Sequence, residues 1–325
     1  MGGSPKELIY QNNSMEKPIR ILLQTTIPAS EDDWSIERFS LLRDYLKSLT
    51  DQNGFPLCQV VARNRESDAE GNDPILSTLE HSEFDELWLF AVDTGKGITP
   101  AECASINAFR QRGGGSLITR DHEDLGSSIC NLDGVGAAHY FHTHNPDPDE
   151  SQWQIDDTET TSISWPNYHS GRNGDYQRII PVEPIHELLH TPDSPSRYIQ
   201  FFPAHPHEGA VGVPTGANNA RVIAMGKSLI SDRLFNLAVA FEREQDAAGN
   251  ILGRAVAEST FHHFADHNWN PDMGAPSYVT EPIGDGFKRE PHTLEDIKTY
   301  VRNLALWLAP ACLDANVHAY NPVRS

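Results

Sequence analysis

The chain has 325 residues, is 38% hydrophobic and 22% charged, and carries a formal net charge of −21 at pH 7. Such a composition can bury a real core, and the length fits one large α/β domain. The acidic balance argues against nucleic acid and anionic membranes as partners, because both select surfaces rich in Lys and Arg.

No apolar run approaches the ~18 residues of a membrane span. Met1 to Asn13 has no apolar core of a secretory signal, and Lys6 stands where a myristoylation motif needs Ser or Thr. Residues 1–17 are expected to form a flexible arm, and 18–325 a single domain. Cys58, Cys103, Cys130 and Cys312 form no CxxC pair, so a thiolate zinc knuckle is not expected. Free thiols in a reducing cytoplasm are the expectation.

The first strand is read in Arg20–Thr26. Helix one follows Ser35 as N-cap, with Ile36, Phe39, Leu42, Leu46 and Leu49 on one face. Gln59–Ala62 is a weaker second strand. Glu86–Val92 is apolar throughout and reads as a third strand covered on both faces. Thr99-Pro100-Ala101-Glu102 is a capping box with Pro at the first helical position. Gly113 supplies the left-handed stop. Ser116–Thr119 is strand four, and it ends in the polar turn Arg120-Asp121-His122. Strands alternating with helices through short connections imply right-handed βαβ units and a parallel sheet.

Residues 145–178 are rich in Asp, Pro, Ser, Thr and Asn, and read as a long insertion folding over the sheet edge as a lid. Order returns with a fifth strand at Arg197–Phe202, a sixth at Ala220–Met225 and a seventh at Leu234–Glu242. The seventh joins Ile251–Glu258 through a Gly/Asn-containing turn at 247–250, as a hairpin or near-hairpin. A helix over 293–310, with Ile297, Val301, Leu304, Trp307 and Leu308 in one stripe, closes the domain.

Among the 15 histidines, the informative ones follow expected strands: Asp121-His122, then His205-Pro206-His207-Glu208, then His262-His263. If those strands are parallel, the clusters share the C-terminal edge, where open α/β sheets bind ligands.

The order β-α-β, capped helix, Gly-Gly-Gly, strand and polar turn resembles the class I glutamine amidotransferase-like superfamily. Gln200-Phe201-Phe202…His205-Pro206-His207-Glu208 is similar to its Gln-Phe-His-Pro-Glu element, altered by inserted residues. The resemblance covers residues 18–265 and implies a flavodoxin-like three-layer α/β/α fold with a mostly parallel sheet. The elbow carries Arg120, Asp121 and His122, where glutaminases of this superfamily need a nucleophilic Cys, and Cys130 comes about eight residues too late. Glutaminase chemistry is therefore not expected. Ser259-Thr260-Phe261-His262-His263 resembles a run in ThuA-like relatives, which also lack the cysteine. Because a shared fold does not carry a reaction with it, the resemblance implies architecture first.

Three chemical readings stay open. One is a divalent ion (zinc, manganese or iron) held by residues among Asp121, His122, His205, His207, Glu208, His262 and His263, with His122, His205, His207 and His263 as the expected set. Another is metal-free acid–base work by Asp121, His122, His207, Glu208 and His262 on a small molecule, in a hydrolase or isomerase. Neighbours on a strand face opposite ways, so His207 and Glu208 need not meet one ligand. The third is a non-catalytic ligand-binding or assembly module, as a monomer or homo-oligomer.

Three motifs are set aside. His186-Glu-Leu-Leu-His190 fits a zinc-peptidase signature but lies between Pro184 and Pro192, too short for the required helix. It is expected to be a turn with Leu188 and Leu189 packed inward and solvated histidines. His139, His142 and His144 are expected on a surface strand or loop. The acidic run Asp147, Asp149, Glu150, Asp156 and Asp157 lacks an EF-hand pattern and is expected to be a solvated face.

Overall fold

A computed structural model describes residues 17–157, 160–191, 197–245 and 249–313. Residues 1–16 of the expected arm, Pro192, and Ala247 and Ala248 of the expected turn lie outside the described residues.

The central sheet has eight strands. In chain order they are β1 (Ile19–Thr25), β2 (Cys58–Arg63), β3 (Glu86–Phe90), β4 (Gly115–Thr119), β5 (Ile180–Pro181), β6 (Ala220–Lys227), β7 (Leu234–Phe241) and β8 (Ala255–Glu258). Their spatial order is β2-β1-β3-β4-β8-β7-β6-β5. The first five in that order run parallel, while β7, β6 and β5 add antiparallel to one edge. The architecture is thus the expected mostly parallel α/β sheet, with an antiparallel extension that hydrophobic patterning alone does not reveal.

Alternation along the buried strands makes two cores. Ile21, Leu23, Trp88 and Phe90 face one layer, which holds Leu42 and Leu46 of α1 (Ser40–Ser48) and Ile297, Val301 and Leu304 of α3 (Leu294–Leu308). Leu22, Leu87, Leu89 and Ile118 face the other, against Ile106 and Phe109 of α2 (Pro100–Gln111). A strand covered on both sides loses its apolar–polar alternation, which is why β3 reads as continuously apolar.

The capping box forms as expected: the Thr99 hydroxyl accepts from Glu102 N at 3.3 Å and the Glu102 carboxylate from Thr99 N at 3.0 Å. Gly113 takes φ +100° at the end of α2. The start of α1 differs. Ser35 precedes a 3₁₀ turn at Ile36–Phe39 without a side-chain cap. The free N–H groups of Ser40 and Leu41 instead donate to the buried Asp266 carboxylate at 3.0 and 2.7 Å. A carboxylate more than 220 residues away satisfies the orphan donors that every helix start leaves.

The expected fifth strand is a correction. Phe201–Pro203 pairs with Tyr176–Arg178 in a separate two-stranded ladder. The N–H groups of Gln200 and Phe201 donate to Asp296 of α3 at 2.8 and 3.0 Å, so they need no neighbour from the sheet. The far edge of the sheet is β5, which follows the long irregular segment.

Candidate functional site

Strands β4 and β8 are parallel neighbours with Thr119 opposite Glu258. The residues after each therefore leave the same edge side by side, and Phe261 N donates to Arg120 O at 2.9 Å. His205–Gly209 arrives from the separate ladder and passes beneath this turn. At Gly209 a Cβ would overlap the Ser259 carbonyl and crowd Arg120 Nε (2.7 Å) and the Asp121 carbonyl (2.8 Å), so only glycine lets the loop approach.

The turn itself is stiff. The fully buried Arg120 guanidinium donates to the carbonyls of Asp121 and Glu123 and lies 4.0 Å over the Phe141 ring. Glu123 adopts φ +48°, an uncommon conformation for a residue with a side chain. Its carboxylate accepts from the amide and hydroxyl of Ser164.

Asp121, His205 and His262 meet at one point. His205 Nε2 and His262 Nε2 each lie 3.9 Å from Asp121 Oδ1. The two imidazoles stack, with centroids 3.5 Å apart and planes 13° from parallel. All three residues are nearly fully buried, and their ligand atoms lie within 4.8 Å of one another.

Two asparagines fix the tautomers. Asn268 Nδ2 donates to the Ala204 carbonyl at 3.0 Å and to Asn173 Oδ1 at 2.8 Å. Asn268 Oδ1 must then accept, and its partner at 3.0 Å is His262 Nδ1. Asn173 Oδ1 is likewise an acceptor, and its second partner at 2.9 Å is His205 Nδ1. Both imidazoles thus carry their proton on Nδ1 and leave an unprotonated Nε2 on the side of Asp121. His205 Nε2 is buried and accepts no hydrogen bond among the described residues. A side-chain oxygen that holds the distal N–H is how metal-binding histidines are oriented.

Electrostatics agree with neutral rings. Burial, followed by the His207 ring, pushes His122 down to about 3. Burial pushes His262 down to about 3 despite the opposing Asp121 charge. His205 falls well below the ordinary imidazole value, by burial and then its histidine neighbours. Burial raises Asp121.

A cavity of about 440 Å³ opens above the cluster. Asp121, His122, His205, His207 and His262 line it, with Asp33, Trp34, Tyr278 and Glu281 around them. His207 Nε2 is 2.5 Å from Asp157 Oδ2 and 4.0 Å from Glu281 Oε1. His122 packs edge-on to His207, with centroids 5.3 Å apart.

Several expected residues lie elsewhere. His263, expected as a ligand, is fully buried between Glu258 Oε2 at 3.1 Å and Glu208 Oε2 at 3.4 Å. Glu208, expected beside His207 as an acid–base partner, faces away from the cavity. It accepts from Ser170, Gln177 and Ser259 at 2.8, 2.6 and 3.1 Å. His207 ends a turn and Glu208 pairs with Tyr168 in an isolated bridge, and their side chains part there. Asp156 and Asp157 are buried rather than solvated: Asp156 pairs with Arg233 at 2.9 Å, and Asp157 holds His207. His139 is also buried, with its ring nitrogens 2.9 and 3.2 Å from the Val135 and Ile118 carbonyls, while His142 and His144 are exposed.

The His186–His190 stretch is a 3₁₀ turn at Glu187–Leu189 with both leucines buried, as expected. His186 is a correction. It is buried against Trp307 and Glu242 rather than solvated. Asn173, Asn268, Asp33, Tyr278 and Glu281 escape sequence reading because no spacing marks them, and Asp157 reads only as part of an acidic run.

Fold and site together define a three-layer α/β protein with a His/carboxylate cavity at the C-terminal edge of its sheet, and no cysteine lines that cavity among the described residues. No protein-family profile and no curated protein matches the chain. Among solved structures, the glutaminase domain of CTP synthase from Trypanosoma brucei with bound acivicin is similar at TM-score 0.44 and 13% identity, covering 94% of this chain and 96% of that one. The mmIFT52 N-terminal domain is similar at TM-score 0.41 and 9% identity, over 76% and 89% of the two chains. A ThuA-like protein from Parabacteroides merdae is similar at TM-score 0.39 and 14% identity, over 83% and 96%. No helix among the described residues is long and apolar enough to cross a membrane.

Proposed function

We propose that the chain is a metal-dependent hydrolase of small molecules, with Asp121, His205 and His262 as the ligands of one divalent ion. One observation carries this reading: two buried imidazoles, each with its proton held on Nδ1, place their unprotonated Nε2 atoms 3.9 Å from the same carboxylate oxygen. A set of two histidines and one carboxylate suits zinc, iron or manganese and leaves coordination positions open. An ion held there supplies Lewis acidity toward a carbonyl or a water. This assignment moves the expected ligand set from His122, His205, His207 and His263 to Asp121, His205 and His262.

His207 is the acid–base group. Asp157 accepts from its Nε2 and sets the ring's orientation, as a carboxylate does for a catalytic imidazole. His122 fills the wall beside it as a neutral ring.

The test is elemental analysis of untagged protein purified without chelator, then again after loading. About one zinc, manganese or iron per chain is expected, falling to background in Asp121→Asn, His205→Gln and His262→Gln. Asp157→Asn should keep the ion and lose turnover in a screen of amide, ester and phosphoester substrates. A protein that stays metal-free after loading overturns the reading in favour of a binding module without a metal.

A further inference from the structure

We propose that the cavity selects a substrate carrying a cationic amine or amidine group beside the bond that is processed. This rests on the hydrolase reading above and concerns the wall opposite the ligands rather than the ligands themselves.

Among the described residues the cavity lining includes the carboxylates of Asp33, Asp121 and Glu281 and no Lys or Arg. The nearest guanidinium, Arg120, is committed to backbone carbonyls and the Phe141 face. That wall therefore offers no cationic side chain to a phosphate or carboxylate group of a substrate.

Glu281 is the telling residue, because its side chain is only 11% exposed. Its Oε1 accepts from the Thr160 hydroxyl at 3.1 Å, and no hydrogen bond to Oε2 is found among the described residues. His207, whose Nε2 lies 4.0 Å from that oxygen, is already paired with Asp157 at 2.5 Å, and His122 on the same wall is held neutral by burial. Glu281 is therefore a largely covered carboxylate with no ion-pair partner closer than 4.0 Å among the described residues. A carboxylate withdrawn from water without a counter-charge is costly, and a ligand cation removes that cost.

Asp33 repeats the arrangement at the mouth. Trp34 N and the Tyr278 hydroxyl both donate to its Oδ1, at 2.8 and 2.9 Å, which leaves Oδ2 without a described donor. Trp34 also lines the opening, roughly perpendicular to His262 with centroids 4.7 Å apart, so an aromatic ring and two carboxylates flank the reacting end. Aromatic rings and carboxylates around one opening attract a cation twice, through ring quadrupole and net charge. The same wall repels anions.

The experiment uses three para-substituted benzhydroxamates on the full-length, zinc-loaded protein. The hydroxamate chelates the ion, and the para group is aminomethyl, hydroxymethyl or carboxylate. Titration calorimetry should rank aminomethyl at least ~10-fold tighter than hydroxymethyl, with carboxylate weakest. Glu281→Gln and Asp33→Asn, checked for unchanged melting, should each narrow the cationic-to-neutral gap by roughly 3-fold or more. Equal binding of the three probes overturns the inference and leaves the metal reading intact. If no hydroxamate prefers zinc-loaded to zinc-free protein, the metal reading fails. Benzylammonium and benzyl alcohol on the zinc-free protein then test charge selection alone, and equal binding of those two overturns it.

Discussion

Asn268→Ala tests the tautomer argument directly. Asn268 is fully buried, and its amide makes three hydrogen bonds, to His262 Nδ1, Asn173 Oδ1 and Ala204 O. Asn173 Oδ1 keeps His205 as a partner after the change. The groups left stranded are the His262 N–H and the Ala204 carbonyl. At ~1–3 kcal/mol for each unsatisfied buried group, with a water recovering part of it, the expected loss of stability is about 3 kcal/mol. The His262 ring is also freed to turn or to change tautomer, so zinc affinity should fall by ~10–100-fold. Asn268→Asp is the sharper variant. The new carboxylate still accepts from His262 but faces Asn173 Oδ1, so the Asn173 amide must flip. Its NH₂ then donates to His205 Nδ1, which drives the ring proton onto Nε2 and blocks that ligand. Long-range ¹H–¹⁵N spectra of labelled protein read the tautomers, a competing chromophoric chelator reads the affinity, and urea melts read the stability. Nε2-protonated His205 and His262 in the metal-free wild type would refute the reasoning. So would wild-type zinc affinity in Asn268→Ala.

Other consequences are independent of that relay. Gly209→Ala should cost about 1–3 kcal/mol by overpacking the Ser259–Asp121 crossing, measured as a lower urea midpoint with an unchanged slope. His190→Ala should leave metal content unchanged and stability within ~0.5 kcal/mol, since the turn forms no peptidase helix; loss of the ion on this change would contradict the site assignment. The metal-free protein should lose stability on both sides of neutrality. Burial and then the Arg120 charge lower His139 to about 3. The unfolded chain therefore takes up the proton first, and this contribution is lost as pH falls from about 6.5 toward 3. Burial would lower His263 as well, but the Glu208 and Glu258 carboxylates outweigh it and raise this residue to about 9. Its contribution is full below about 6.5 and is lost as pH rises toward 9. Chemical melts across pH 4–10 check both limbs, and His263→Gln should flatten the alkaline one.

Much of the fold could be read from local chemistry. The capping box at Thr99–Glu102, the left-handed Gly113 and the apolar run of β3 each depend on residues within one turn or one strand, so their spacing carries the information. The expectation that Asp121-His122 and His262-His263 share an edge follows from two parallel strands, and β4 and β8 are neighbours. Strand direction beyond them was not legible, because an apolar run reads alike in parallel and antiparallel sheets. Nor did the sequence reveal that Phe201–Pro203 leaves the sheet, since the Asp296 carboxylate that takes its amide protons belongs to a helix almost 100 residues later.

The site divides along the same line. Residue type and position after a strand determined that histidines and carboxylates gather at the C-terminal edge. Only the tertiary structure decided which of them face one another. His207 faces the cavity while Glu208 joins the buried pair with His263, and in the 3₁₀ turn after β8 His262 enters the cluster while His263 leaves it. Asn173 and Asp157 orient the cluster through hydrogen bonds to residues 32 and 50 positions away, and Asn268, six residues from His262, is itself held by Asn173 95 positions away. Their significance is a matter of distance in space, which no local pattern along the chain records.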